Sequence, residues 1–310
     1  AQRLGEFSRV GGIGWVAGLI LGTVWLSSLE SGQGEPAMRA LFMLGAALSL
    51  VSMFLAYKWV PEPHFKLDRR IVDGHLLDIP LMIAEKARYL PHRVIHVLQI
   101  TSRNIRAENF TADLRKYYAC TFIIFTGSHT FFVAFPVFLK QYVGLLSWEV
   151  FLIYVAASLA SAMTYSAAGR WAAAIGSKRI YAASVAVRVL LFPLAFFVTT
   201  LSLGRWEIVA VFCLLHGMMG FFWANISVAG NHLVAKISRP EFRAESTGMY
   251  SSMQGMAIVT GAIIGGFVGQ FMGYQVLFLL SSLLMVAGLL LLSRVEVGKE
   301  PSEDGSLESV

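Results

Sequence analysis

Eight runs of about twenty apolar residues decide what this chain can become: 11–29, 39–57, 117–139, 148–168, 180–201, 207–230, 248–270 and 274–292. A helix of ~20 residues spans a ~30 Å hydrocarbon core. Hydrocarbon offers the backbone no hydrogen bonds, so only helices and closed barrels cross it. These runs are too long for barrel strands and lack the in–out alternation of a barrel. Charged residues make up 14% of the chain, against about 25% in soluble domains. The expected fold is therefore all-α, a polytopic membrane bundle of eight transmembrane helices.

Lysine and arginine place the connections. Twenty-one lie on the side of both chain ends and the long 58–116 connection, against Arg39, Lys140 and Arg205 on the other. The positive-inside rule then puts both ends in the cytoplasm of a multi-pass plasma-membrane protein. The basic excess is explained by topology, so no nucleic-acid partner is expected. Cys120 and Cys213 fall within runs and read as packing residues. The first run is too long for a signal-peptide core, and the chain opens on Ala1, which points to further sequence upstream.

Organisation follows from spacing. Residues 1–58 hold two spans, and 117–293 hold six joined by short connections. Between them, 59–116 contains apolar positions at helical spacing around Pro91, the pattern of an amphipathic cytoplasmic linker. The acidic, polar stretch 294–310 reads as a disordered cytoplasmic tail.

Two spans carry glycine at every fourth position: Gly14, Gly18 and Gly22, then Gly261, Gly265, Gly269 and Gly273. On a helix such glycines form one bare stripe, and in lipid small residues let backbones approach closely. Each stripe is expected to be a tight crossing, on which helices of opposite halves slide. Each glycine span is followed by one more span and then a cytoplasmic segment, which suggests an internal repeat of the kind found in secondary transporters.

The connection "GRWAAAIGSKR" adds a resemblance. Gly169, Gly176, Lys178 and Arg179 resemble the G-x-x-x-D-R-x-G-R-R loop of the major facilitator superfamily. "RPEFRAESTGMYSSMQG" is similar to the loop leading into that family's eleventh helix. The resemblance implies a register in which the eight spans match helices five to twelve. They would be the last two helices of an N-terminal half and a complete C-terminal half, with four preceding helices outside this chain. Ala173 and Ala174 replace the aspartate and the next basic residue, so no aspartate latch is expected here. Read from its own chemistry, Gly176 permits a turn with positive φ, and Lys178 and Arg179 hold the loop at anionic headgroups. That loop is open to two readings, anchor and conformational latch.

Chemistry-bearing residues within the spans are few. No acidic residue lies mid-span; Glu149 and Glu207 sit at span ends. His129 is roughly 18 Å along its helix from one side and His216 roughly 14 Å from the other, which places both near the midplane. Ionisable groups there are functional candidates, and histidine titrates near neutrality. Both histidines are candidates for substrate or proton contact, alongside Asn225, Trp223 and Gln254, whose own bland reading is helix-to-helix hydrogen bonding. Arg188 is the one cation within a span. It is close enough to the inner end to snorkel, with anion binding as the other reading. Pro136 and Pro193 are expected to bend their helices and free backbone groups.

No P-loop, H-E-x-x-H, C-x-x-C or G-x-S-x-G is present, so neither enzyme chemistry nor a cofactor is expected. The leading expectation is a secondary transporter that moves a small-molecule substrate by alternating access. The coupling ion would be a proton or sodium, the complete protein a monomer in the bilayer, and the direction export of apolar or metabolite-like compounds. The alternative is a non-transporting receptor or scaffold that keeps the same fold.

Overall fold

The computed structural model describes residues 2–29, 34–59 and 110–297. Among these are eight long helices and no strand. They are α1 (Gln2–Leu29), α2 (Gly34–Trp59), α3 (Ala112–Val137), α4 (Ser147–Trp171), α5 (Ser177–Phe197), α6 (Arg205–Ile237), α7 (Arg243–Phe271) and α8 (Tyr274–Ser293). The expected amphipathic linker falls largely on 60–109 and the expected tail largely on 298–310, outside the described residues.

By length and apolarity there are 7 membrane-crossing stretches, because 147–200 is continuous over 54 residues and holds both α4 and α5. Gly176 divides it. Its φ of 101° and ψ of 130° leave helical space in a region that glycine enters freely, as the sequence leads one to expect. A π turn, Ala172–Gly176, leads into the break and carries Ala173 and Ala174 on its exposed side.

Helix directions follow from their end contacts. Arg205 pairs with Glu149, so the first turns of α4 and α6 lie together and these helices run parallel. Ser177 Oγ meets His232 Nδ1 at 2.6 Å, placing the start of α5 against the last turns of α6. The chain therefore doubles back at Gly176. α1 belongs to the same compact unit as α3–α8 and packs along α4, with Gly5 against Tyr165 and Gly22 against Phe151. α2 belongs to a separate unit and shows apolar side chains such as Phe42 and Phe54 on its surface.

The glycines show where backbones meet. A Cβ on Gly261 would lie 2.7 Å from the Thr126 carbonyl oxygen, and one on Gly265 would lie 2.6 Å from that of Thr130. One turn on each helix advances the contact together, so α3 and α7 run parallel and touch backbone to backbone. This partner belongs to the same 117–293 set, not to the other half as expected. Gly269 faces the end of Leu277 and the Tyr274 ring, and Gly273 (φ 84°) starts α8. In α1 the expected stripe is also displaced. Gly14 and Gly18 have nothing within 4 Å, whereas Gly5, Gly12 and Gly22 face α4. A strict four-residue repeat drifts around a helix of 3.6 residues per turn, so no single partner covers the whole row.

Pro193 shows how a freed backbone group is reused. Proline has no N–H to give the carbonyl four residues earlier, that of Val189. Ser282 Oγ of α8 donates to that carbonyl at 2.8 Å. Lys178 departs from its expected headgroup role: its Nζ donates to the carbonyls of Val295 (2.6 Å) and Ser293 (3.2 Å), which caps the C-terminal end of α8. Arg179 remains exposed.

Two aromatic layers bracket the middle of α3 and α6. Toward the end where α3 begins, buried Tyr117 stacks on Tyr250 at 5.8 Å and donates to the Gly230 carbonyl at 3.1 Å. Farther along, Phe131 stacks on Phe192 at 4.1 Å and reaches Phe135 and Phe278. Between these layers along the two helices lie residues 125–130 of α3 and 216–223 of α6.

Candidate functional site

That middle zone is hollow. A cavity of about 200 Å³ is bounded by Ser128, His129 and Phe132 of α3, Ser158 and Ser161 of α4, Arg188 of α5, and His216, Met219, Gly220 and Trp223 of α6. The α6 residues fall at i, i+3, i+4 and i+7, a single helix face. A second cavity of about 430 Å³ lies between α1 and α4, lined by Ser8, Gly11, Gly12, Trp15 and Tyr165. Ser158, Ser161 and Trp223 line both, so the two adjoin. Among the described residues, neither wall includes an acidic side chain.

Close packing sets these walls. Gly220 lies so near the Ala157 carbonyl that α4 and α6 touch through backbone, and Ser161 Oγ donates to the Gly220 carbonyl at 2.8 Å. On the other flank, a Cβ at Gly261 would sit 2.9 Å from that of His129. The bare face of α7 thus backs the turn of α3 that carries this histidine. The glycine stripe acts on the site indirectly, by holding α3 close.

Arg188 does not snorkel as one sequence reading expects. Its side chain is 2% exposed and turns inward to the cavity. Distance from a helix end does not reveal which way a side chain points, and here the α5 face carrying Arg188 meets α3 and α6. Its Nη1 donates to Ser128 Oγ at 3.1 Å, and its guanidinium carbon lies 4.9 Å from the Phe132 ring and 5.4 Å from Trp223. Nε has no hydrogen-bond partner, and no carboxylate pairs with the group among the described residues. Burying an unpaired ion costs several kcal/mol. One neutral hydrogen bond contributes about 1.5–3 kcal/mol to a charged group, and each ring about 0.5–2 kcal/mol. These contacts lower the cost without supplying the missing negative charge.

His216 is also 2% exposed, with its ring 4.6 Å from Tyr154 and 4.9 Å from Phe135. Its Nδ1 has no partner. His129 is partly exposed beside Phe125, which also meets Trp223 edge-on at 5.8 Å. The structure therefore gathers His129, His216, Arg188 and Trp223 around one space. It leaves out two other sequence candidates. Asn225 is buried and donates to the Phe221 carbonyl at 3.0 Å within its own helix, and Gln254 on α7 lines neither cavity. Sequence reading missed Ser128, Ser158 and Ser161, since a lone serine in an apolar run reads as packing. A usable signal was the small-residue run 156–162 facing Gly217 and Gly220. Among the described residues no cluster of three His, Cys, Asp or Glu side chains is placed to hold a metal ion.

The family model described as Major Facilitator Superfamily matches residues 117–309, more than half of the chain. No curated protein matches the chain at a significant level.

Proposed function

The chain belongs to the major facilitator superfamily of membrane transporters, and on that premise we propose that it carries a small solute by alternating access, with the cavity among α3, α4, α5 and α6 as the solute site. The observation that carries this reading is the convergence of Arg188, His129, His216 and Trp223, from three helices, on a single space. Polar groups placed in an otherwise apolar, aromatic pocket are what orient a small ligand. The adjoining cavity against α1 is proposed as the side on which a second bundle closes. In this reading 1–58 ends one half, 117–293 is the other, and 59–116 joins them on the cytoplasmic side of the plasma membrane.

His129 and His216 are proposed to contact solute or a coupling proton. Because a hard cation favours oxygen ligands and the described residues of both walls include no acidic group, a proton is the coupling ion we favour over sodium. The apolar and aromatic lining supports apolar or metabolite-like solutes; export by a monomer is proposed alongside. Counterflow of a solute panel in vesicles that contain the complete protein tests the proposal. Saturable flux that Trp223→Ala abolishes is the expected result. Absence of flux for every solute, with the protein folded, would leave a receptor or scaffold instead.

A further inference from the structure

We infer that the cavity among α3, α4, α5 and α6 takes a small organic anion, whose carboxylate meets the guanidinium of Arg188. The inference rests on the cavity being the solute site and adds the class of solute.

Three observations point the same way. First, Arg188 is a cation buried to 2% exposure, turned into an empty space, with only a neutral hydroxyl on Nη1 and nothing on Nε. A guanidinium presents five N–H donors in a plane, and a carboxylate takes two of them side by side. Second, among the described residues the wall has no negative group to compete. The other buried polar atom without a partner at this wall is His216 Nδ1, which offers a hydrogen-bond position rather than a counter-charge. Third, beside its serines and histidines the wall carries Phe132, Met219 and Trp223, suited to an apolar body attached to the charged head. A space of about 200 Å³ is small beside the several hundred of a drug site, so that body is one ring or a short chain. Lysine would supply charge without the planar fork, so the arginine itself is informative.

Benzoate is the probe, with benzamide as its uncharged near-isostere and acetate as the head alone. Binding is read by thermal shift and by tryptophan quenching on the complete protein in nanodiscs. Benzoate is expected to bind, benzamide at least about tenfold more weakly, and Arg188→Gln to lower benzoate affinity at least about thirtyfold and benzamide affinity far less. Arg188→Lys keeps the charge and is the second variant should the glutamine form fail to fold. It is expected to retain binding at reduced affinity. Equal binding of benzoate and benzamide overturns the inference. So does unchanged benzoate binding in both variants, or failure of every carboxylate to bind, the last implying that a carboxylate elsewhere in the protein neutralises Arg188. Counterflow separates the two readings. Benzoate bound but never moved sinks the transport reading alone, whereas flux of solutes without dependence on Arg188 sinks the anion site alone.

Discussion

Glu149 and Arg205 form a two-pronged ion pair, Nε to Oε1 at 2.8 Å and Nη2 to Oε2 at 2.9 Å, across the first turns of α4 and α6. The carboxylate is fully buried and also accepts the Leu146 N–H at 2.7 Å, while the arginine side chain is 50% exposed. The pair therefore fixes two cavity-forming helices at one end without touching the cavity. Arg205→Ala should lower stability by about 1–2 kcal/mol, at the modest end because water screens the exposed partner. The change is read as a lower melting temperature in detergent, with solute affinity unaltered. Arg205→Ala combined with Glu149→Gln should recover part of the loss, since no buried charge is then stranded.

The α3–α7 crossing separates its glycines by consequence. Gly261→Ala and Gly265→Ala each drive a methyl group into α3 backbone and should cost about 1–3 kcal/mol or more. Gly269→Ala meets the flexible end of Leu277 at 3.0 Å and the Tyr274 ring at 3.9 Å, and should cost much less. Because Gly261 backs His129, its alanine variant should also weaken solute binding. Melting and binding measured on all three variants check the order.

Along α1 the same test has the opposite outcome for neighbouring positions. Gly14→Ala and Gly18→Ala enter open space in this structure and should leave packing on α4 intact. Gly12→Ala crowds Ala162 and Tyr165 at 3.2 Å and Gly22→Ala runs into the Phe151 ring at 2.7 Å, so both should loosen it. Cross-linking yield between cysteines introduced on α1 and α4 reports the difference.

His129→Gln and His216→Gln should each change how transport depends on pH, histidine being the side chain whose charge switches most readily. The proposed proton role is the basis of this expectation. The measurement is initial flux in vesicles clamped at each pH. A profile unchanged in both variants removes histidine from the coupling step.

Much of the fold was legible because lipid allows so few solutions. Eight apolar runs became eight helices, and Gly176 broke the chain where its loop suggested. The site was legible only in part, since linear position gives depth but not direction. His129 and His216 were placed by depth alone and do line the cavity. Arg188, judged by the same measure, could have pointed either way until the faces of α3 and α6 were known. Gly14 and Gly18 face open space among the described residues while Gly22 of the same row meets Phe151, because a period of four resembles a helical turn without equalling it. Ser128 was passed over because nothing local distinguishes a serine beside a cavity from one that bonds within its helix, and Ser158 and Ser161 because the run 156–162 marks a close crossing without showing what it faces.

The reversal at Gly176 has a bearing on biogenesis. Over 147–200 the chain is helical almost without a break for 54 residues, and a translocon sampling it reads two crossings from the basic stretch of Arg170, Lys178 and Arg179. One positive φ, at Gly176, lets the chain turn there. A β-carbon placed there threatens parity: should α5 fail to turn back, every later helix would insert upside down, with its basic loops on the wrong face of the bilayer.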